Sequence, residues 1–331
     1  MPKKIPPPNY VTKKPVYPAL KNLRQLSGEQ DTFINLSEVA LRLFEEIMKA
    51  GKDPSAFVNA ICVHLNVNSS LGVDWNEVRA NGHRFALTQV MTVAEAFLKR
   101  LAQEYRLYKG ITMEWHKQVN GEQLDALDVL TENLGAAAKA SARKYPEYHL
   151  IQYYGDVRNR TIHRTKKKTD AELNRLLGNH EKHFQDAYST VPSPFEEIDY
   201  DDSLLLTRAV KYYANILNDL CDLRPKEIAT LHLRLKSIDP KVDKAVANQK
   251  IDIQQQRHLP WVDSLRRMRS QPDKLMKALE RLKLEYNLSA SQCDEIMQQV
   301  EQFLQQDPTR KERKKAAHAV FVAKRGTKAR K

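Results

Sequence analysis

Residues 76–107, NEVRANGHRFALTQVMTVAEAFLKRLAQEYRL, decide the fold class of this chain. Leu87, Val90, Met91, Ala94, Leu98, Leu101 and Tyr105 recur at three- and four-residue spacing, so a helix through them gathers one apolar stripe over about five turns. The same period extends in both directions. Upstream, Leu36, Val39, Ala40, Leu43, Phe44 and Ile47 follow it until Gly51, which ends that helix. Asp53 and Pro54 read as an N-cap followed by proline at the first helical position, opening a helix through His64. Downstream, the pattern predicts a long helix over 122–144, another from about 147 into the Arg158 motif, and a third over Ser203–Leu223 carrying Leu206, Val210, Tyr213, Leu217 and Leu220. A polar insert, Thr165 to Tyr200, contains Pro192 and Pro194 and reads as helical near 170–187. Alternating β-branched runs are absent, so the expected class is all-α: a helical bundle with a smaller C-terminal helical region.

The ends differ from this body. Prolines from Pro2 to Pro18 predict an extended start of about 25 residues. Arg224-Pro225 interrupts the helical pattern, residues 226–306 are rich in glutamine and lysine with two or three amphipathic helices, and Asp307-Pro308 opens a basic end. The expected organisation is a basic, proline-rich tail over 1–28, a helical domain over 29–225, a helical region over 226–306 and a basic tail over 307–331.

The net charge of +13 is uneven. Residues 1–24 hold six Lys or Arg and no acid, and residues 308–331 hold ten against Glu312, which leaves the remaining 283 residues with 38 basic and 40 acidic side chains. The body is therefore nearly neutral, and the tails carry the attraction to polyanions, which is salt-dependent and sequence-independent. No run of 18 apolar residues exists, and the N-terminus lacks an apolar h-region; the expectation is a cytoplasmic protein with no membrane partner. Cys62, Cys221 and Cys293 are far apart, odd in number and set in helical patterns, which fits reduced cysteines and no zinc site.

Within the neutral body, Arg158-Asn159-Arg160-Thr161-Ile162-His163 opens a dense basic run: six Lys or Arg between Arg158 and Lys168, with no acid. Arginine stays charged and binds phosphate bidentately, and histidine titrates near neutrality and suits proton transfer. Together they suffice to cut RNA without a metal. His163 is the candidate base that removes the ribose 2′-OH proton, Arg158 the cation that stabilises the phosphorane, and Asn159 an amide that orients phosphate or imidazole. Arg160, Arg164, Lys166, Lys167 and Lys168 are the candidate RNA-binding cations. Positions five apart on a helix lie about 140° apart around its axis. Arg158 and His163 thus share a cleft only if the helix bends or ends between them, or if the arginine stem spans the rest.

A long helix over 76–107, an Arg-Asn-x-x-x-His at the end of a later helix, and a further helix over 203–223 after a variable insert resemble the HEPN superfamily. The stretch Tyr154-Gly155-Asp156-Val157-Arg158-Asn159-Arg160-Thr161-Ile162-His163-Arg164 matches its signature of Arg, a polar residue and then His, with four intervening residues; the preceding Tyr153-Tyr154 pair adds to the likeness. It covers roughly residues 30–223. The resemblance implies a metal-independent endoribonuclease, without cofactor, that leaves a 2′,3′-cyclic phosphate and works as a homodimer with two motifs facing one cleft. It implies a toxin or antiviral effector whose partners are RNA and an antitoxin or regulatory protein. The expected dimer interface is 76–107, 147–165 and 203–223. Some relatives are non-catalytic, so the alternative is a helical nucleic-acid-binding or regulatory protein using its basic tails.

Other signals carry less. His180 and His183 lie one turn apart, but no cysteine nearby completes a metal site. Leu223-Arg224-Pro225-Lys226-Glu227 resembles the first box of tyrosine recombinases, yet no histidine after Arg224 begins a His-x-x-Arg box and Tyr286 is the sole later tyrosine.

Overall fold

The computed structural model describes residues 12, 14–50, 54–66, 75–111, 118–119, 122–123, 125–163, 177–237, 264–265, 268 and 271–306. The architecture is all-α. Its elements are α1 (Pro18–Ala50), α2 (Pro54–His64), α3 (Trp75–Lys109), α4 (Ala126–Glu132), α5 (Ala136–Ala142), α6 (Pro146–His163), α7 (Glu181–Tyr188), a 3₁₀ turn (Phe195–Glu197), α8 (Tyr200–Cys221), α9 (Pro225–Ser237), α10 (Pro272–Tyr286) and α11 (Ala290–Gln306). The β structure among the described residues is one two-residue antiparallel ladder, Gln118 opposite Gln123 and Val119 opposite Glu122. No helix among the described residues is long and apolar enough to cross a membrane.

Two compact units emerge. The first comprises residues up to Lys13, Tyr17–Arg106 and Gly110–Asp222; the second comprises Lys14–Val16, Leu107–Lys109 and the chain from Leu223. In the first unit the stripe that defines α3 is interior: Leu87, Val90, Met91, Ala94, Leu98, Leu101 and Tyr105 are all buried. The matching face of α8 is buried too, through Leu206, Val210, Tyr213 and Leu217. Leu150, Tyr154 and Val157 of α6 join them, each fully withdrawn from solvent. These stripes are packed within one chain.

Two expectations about helix limits are corrected. The first 25 residues are not all extended, because α1 starts at Pro18, where proline's fixed φ suits the first helical position. The bonds that hold this start come from far along the chain. Glu104 accepts from the Ala19 N–H at 2.8 Å, and Asn218 accepts from the Tyr17 N–H at 2.9 Å. Tyr17, Leu20 and Leu23 are buried there, so the sequence after residue 16 belongs to the core. The single helix expected over 122–144 is instead two short ones. Asn133 caps α4 with its side-chain amide donating to the Val129 carbonyl at 2.7 Å, and Gly135 adopts an extended backbone before α5 restarts.

α8 begins with a reciprocal capping box. Asp199 accepts from the N–H groups of Asp201 and Asp202, while the Asp202 carboxylate accepts from the Asp199 N–H at 3.0 Å. It ends at Asp222 with φ of 47°, and Pro225 opens α9 three residues later.

In the second unit α9, α10 and α11 pack together through Ile228, Leu231, Leu282, Tyr286, Ile296 and Val300, all buried. Tyr286 also shares a hydrogen bond with the Tyr108 hydroxyl at 3.0 Å, and its carbonyl accepts from the Val16 N–H at 2.7 Å. Lys109 pairs with Glu227 at 2.7 Å. Asn287, in the left-handed region at φ 51°, turns the chain from α10 to α11, where Ser289 and Gln292 cap each other.

Candidate functional site

α6 places the basic motif. It runs unbroken from Pro146 to His163, so no bend between Arg158 and His163 closes the angle that separates them. The aromatic pair before the motif anchors the helix. Tyr153 donates to the Ser193 carbonyl, and Tyr154, fully buried, donates to the Asp202 carboxylate at 2.5 Å. Asp202 also accepts from the Ser193 N–H at 2.9 Å, so one buried carboxylate ties α6, the 193 loop and the start of α8. Burial raises the Asp202 carboxyl, and the hydrogen bonds from Ser193, Tyr154 and Asp199 pull the other way. Burial and the neighbouring Asp202 charge raise the Tyr154 hydroxyl well above the usual tyrosine range, so it stays a donor.

At the next residue, α6 approaches α3. A Cβ on Gly155 would stand 3.6 Å from the Met91 methyl. The next turn of both helices brings Arg158 to Glu95, with Nη1 3.3 Å from Oε1. These side chains are 24% and 26% exposed, a lip between interior and solvent. Arg158 Nη1 also donates to Asn159 Oδ1 at 3.2 Å, and its Nε is buried with no hydrogen-bond partner among the described residues.

This conformation bears on the angular problem. Asn159 lies about 100° around the helix from Arg158, and the His163 position about 140°. The guanidinium thus reaches a residue whose helix direction is about 40° from that of position 163. Asn159 and His163 are four apart and share a face. The His163 side chain lies outside the described residues, as do Arg164, Lys166, Lys167 and Lys168.

Arg160 is corrected. Expected to face RNA, it is buried, with its Nε 3.0 Å from the equally buried Asp156 and its guanidinium 5.7 Å from the Phe195 ring centre. Four residues separate Asp156 from Arg160, so the pair closes along one helix face. A phosphate would have to displace a buried carboxylate to reach it.

Sequence reasoning missed Glu95. It stands four residues after Met91 and three before Leu98, on the apolar face of α3, where an acid implies a cationic partner. A second carboxylate went unseen. Glu147, wholly buried, accepts from the Tyr188 hydroxyl at 2.9 Å and lies 2.8 Å from His183 Nε2. His183 is thereby oriented by an acid, and His180 stacks on His149 with ring centres 5.2 Å apart. Burial, then the Glu147 charge, raises the Tyr188 hydroxyl beyond the usual tyrosine range. Comparison with protein-family models, with curated proteins and with solved structures found no match to this chain.

Proposed function

We propose that this protein is a metal-independent endoribonuclease of the HEPN type, with Arg158, Asn159 and His163 as its reacting set and a toxin or antiviral-defence role as its setting. The observation that carries the reading is the hydrogen bond from Arg158 to Asn159, which ties the guanidinium to the residue four before His163 on α6. In the proposed reaction the His163 imidazole takes the proton of a ribose 2′-OH as that oxygen bonds to the adjacent phosphorus. The bond from phosphorus to the 5′-oxygen then breaks, that oxygen takes a proton from water, and the product end is a 2′,3′-cyclic phosphate. Arg158 stabilises the charge gathered on the phosphorane, and Asn159 holds the guanidinium in place for it.

Glu95 enters this scheme as the resting partner of Arg158. A phosphate takes its place at an ion pair that is about a quarter exposed. The basic tails supply generic RNA affinity in this reading, and a homodimer or a regulatory partner protein remains part of the proposal.

The second reading, a non-catalytic nucleic-acid-binding protein, is favoured by the same pair if Glu95 neutralises Arg158 permanently. Incubation with labelled RNA in excess EDTA separates the two. Cleavage that disappears in Arg158→Ala and in His163→Ala supports the enzyme; RNA binding without cleavage supports the binding protein.

A further inference from the structure

α1 is amphipathic in the inverse sense to an ordinary surface helix. From Ser27 onward its inward face is largely polar, with Ile34 the buried apolar exception. Asp31 pairs with Lys211 of α8 at 2.5 Å, Glu38 with His83 of α3 at 3.0 Å, and Glu45 with Arg79 of α3 at 3.1 Å. These three acids are spaced seven apart, and Ser27 and Gln30 are buried beside them. The apolar face is turned outward: Phe33, Leu36, Val39 and Leu43 are 60–64% exposed and Ile47 is 40% exposed. The 3.6-spaced set that marks this helix in the sequence is thus largely its solvent face.

Numbered as a heptad with Phe33 at a, the outward residues are Leu26, Phe33, Ala40 and Ile47 at a, and Leu36 and Leu43 at d, with Glu29 the polar d position one heptad before Leu36. The inward acids Asp31, Glu38 and Glu45 all fall at f, the position opposite the a/d seam. A heptad seam asks for a second helix with the same seven-residue repeat.

We infer that this face of α1 pairs with α1 of a second copy of this chain, forming an isologous helix–helix dimer. Two observations select that occupant. An a/d seam is complementary to itself, and a two-fold pair uses the same patch twice. The area is also sufficient: with roughly 150–200 Å² per large side chain, the exposed fractions of Phe33, Leu36, Val39, Leu43 and Ile47 amount to roughly 500 Å² on each copy. Two copies reach about 1,000 Å², the lower bound for a specific interface. The chain outside the described residues offers a poorer partner. Its longest proline-free stretch between helices, 241–259, holds at most three apolar residues in any heptad register.

Sedimentation velocity on the full chain from about 1 to 100 µM, in salt high enough to suppress binding through the basic tails, tests this. The expected result is a concentration-dependent shift from the 38.2 kDa monomer to twice that mass. Leu36→Glu/Leu43→Glu is expected to remain monomeric throughout the range, a rise in dissociation constant of at least a hundredfold. Its far-UV spectrum and Tm are expected to be unchanged, because both side chains are already solvated in the single chain. A wild-type chain that stays monomeric at 100 µM overturns the inference. So does a dimer that survives the double substitution, or a photo-crosslinker at position 43 that reacts only with its own chain. None of these outcomes depends on RNA cleavage.

Discussion

Replacing Tyr154 with Phe removes one hydroxyl and leaves the ring, which makes it a clean probe of how the motif-bearing helix is held. Tyr154 is fully buried, its acceptor Asp202 is 1% exposed, and the bond between them is 2.5 Å long. A hydrogen bond to a charged group contributes about 1.5–3 kcal/mol, so the expected loss is about 2 kcal/mol. For a unit of this size that lowers Tm by about 4–8 °C. Urea unfolding followed by far-UV circular dichroism reads the change directly. The pH dependence has a definite sign. Burial raises the Asp202 carboxyl in the folded state, so its contribution to stability is fully present below the unfolded-state value and is lost as pH rises through the folded one. The tyrosine bond favours the charged carboxylate, and its removal raises that folded value further. The deficit of Tyr154→Phe is therefore larger at pH 8 than at pH 4.5. A loss below about 0.5 kcal/mol, or one that grows on acidification, would refute the claim that this bond anchors α6.

Other perturbations follow from the same contacts. Arg160→Ala strands the buried Asp156 carboxylate and should cost about 3–5 kcal/mol, whereas Asp156→Leu/Arg160→Met recovers most of it; chemical denaturation distinguishes this from a specific loss of RNA affinity. Gly155→Ala should stabilise by about 0.5–1 kcal/mol through helix propensity, because its new methyl meets Met91 at an ordinary 3.6 Å; a lowered Tm contradicts that. Deleting residues 1–11 and 308–331 removes Lys3, Lys4 and ten C-terminal cations, and should flatten the dependence of log RNA affinity on log salt while leaving the saturated cleavage rate unchanged. A fall in the saturated rate would place reacting groups in a tail.

The all-α class was legible because periodicity reports burial, and the α3 and α8 stripes are long, continuous and buried. Periodicity does not report direction, which is why α1 misleads. Its apolar stripe points to solvent and its acids point inward, a choice made by Lys211, His83 and Arg79 on other helices. The start of α1 was hidden for a similar reason. Prolines upstream argue for extended chain, but Pro18 suits a first turn that Glu104 and Asn218 cap from afar. The break at 133–135 carried a local sign, Asn followed by Leu and Gly, that the surrounding alanines outweighed. At the site, residue types and spacing singled out Arg158, Asn159 and His163. They did not reveal that Glu95 holds Arg158, or that Arg160, two residues on, turns inward to Asp156. Such partners are chosen by tertiary contact, and one sequence does not display them.

The ribonuclease assignment meets its most direct test in the fate of the ribose oxygen. A labelled oligonucleotide that is DNA except for a single ribose, incubated with the full chain in excess EDTA, reads it by mass spectrometry of the products. The expected result is one cut, 3′ to the ribose, leaving a 2′,3′-cyclic phosphate, with no cut when that ribose is 2′-O-methylated. Cleavage at deoxynucleotides, cleavage that persists after 2′-O-methylation, or no cleavage of any ribose-containing strand would contradict catalysis by Arg158 and His163.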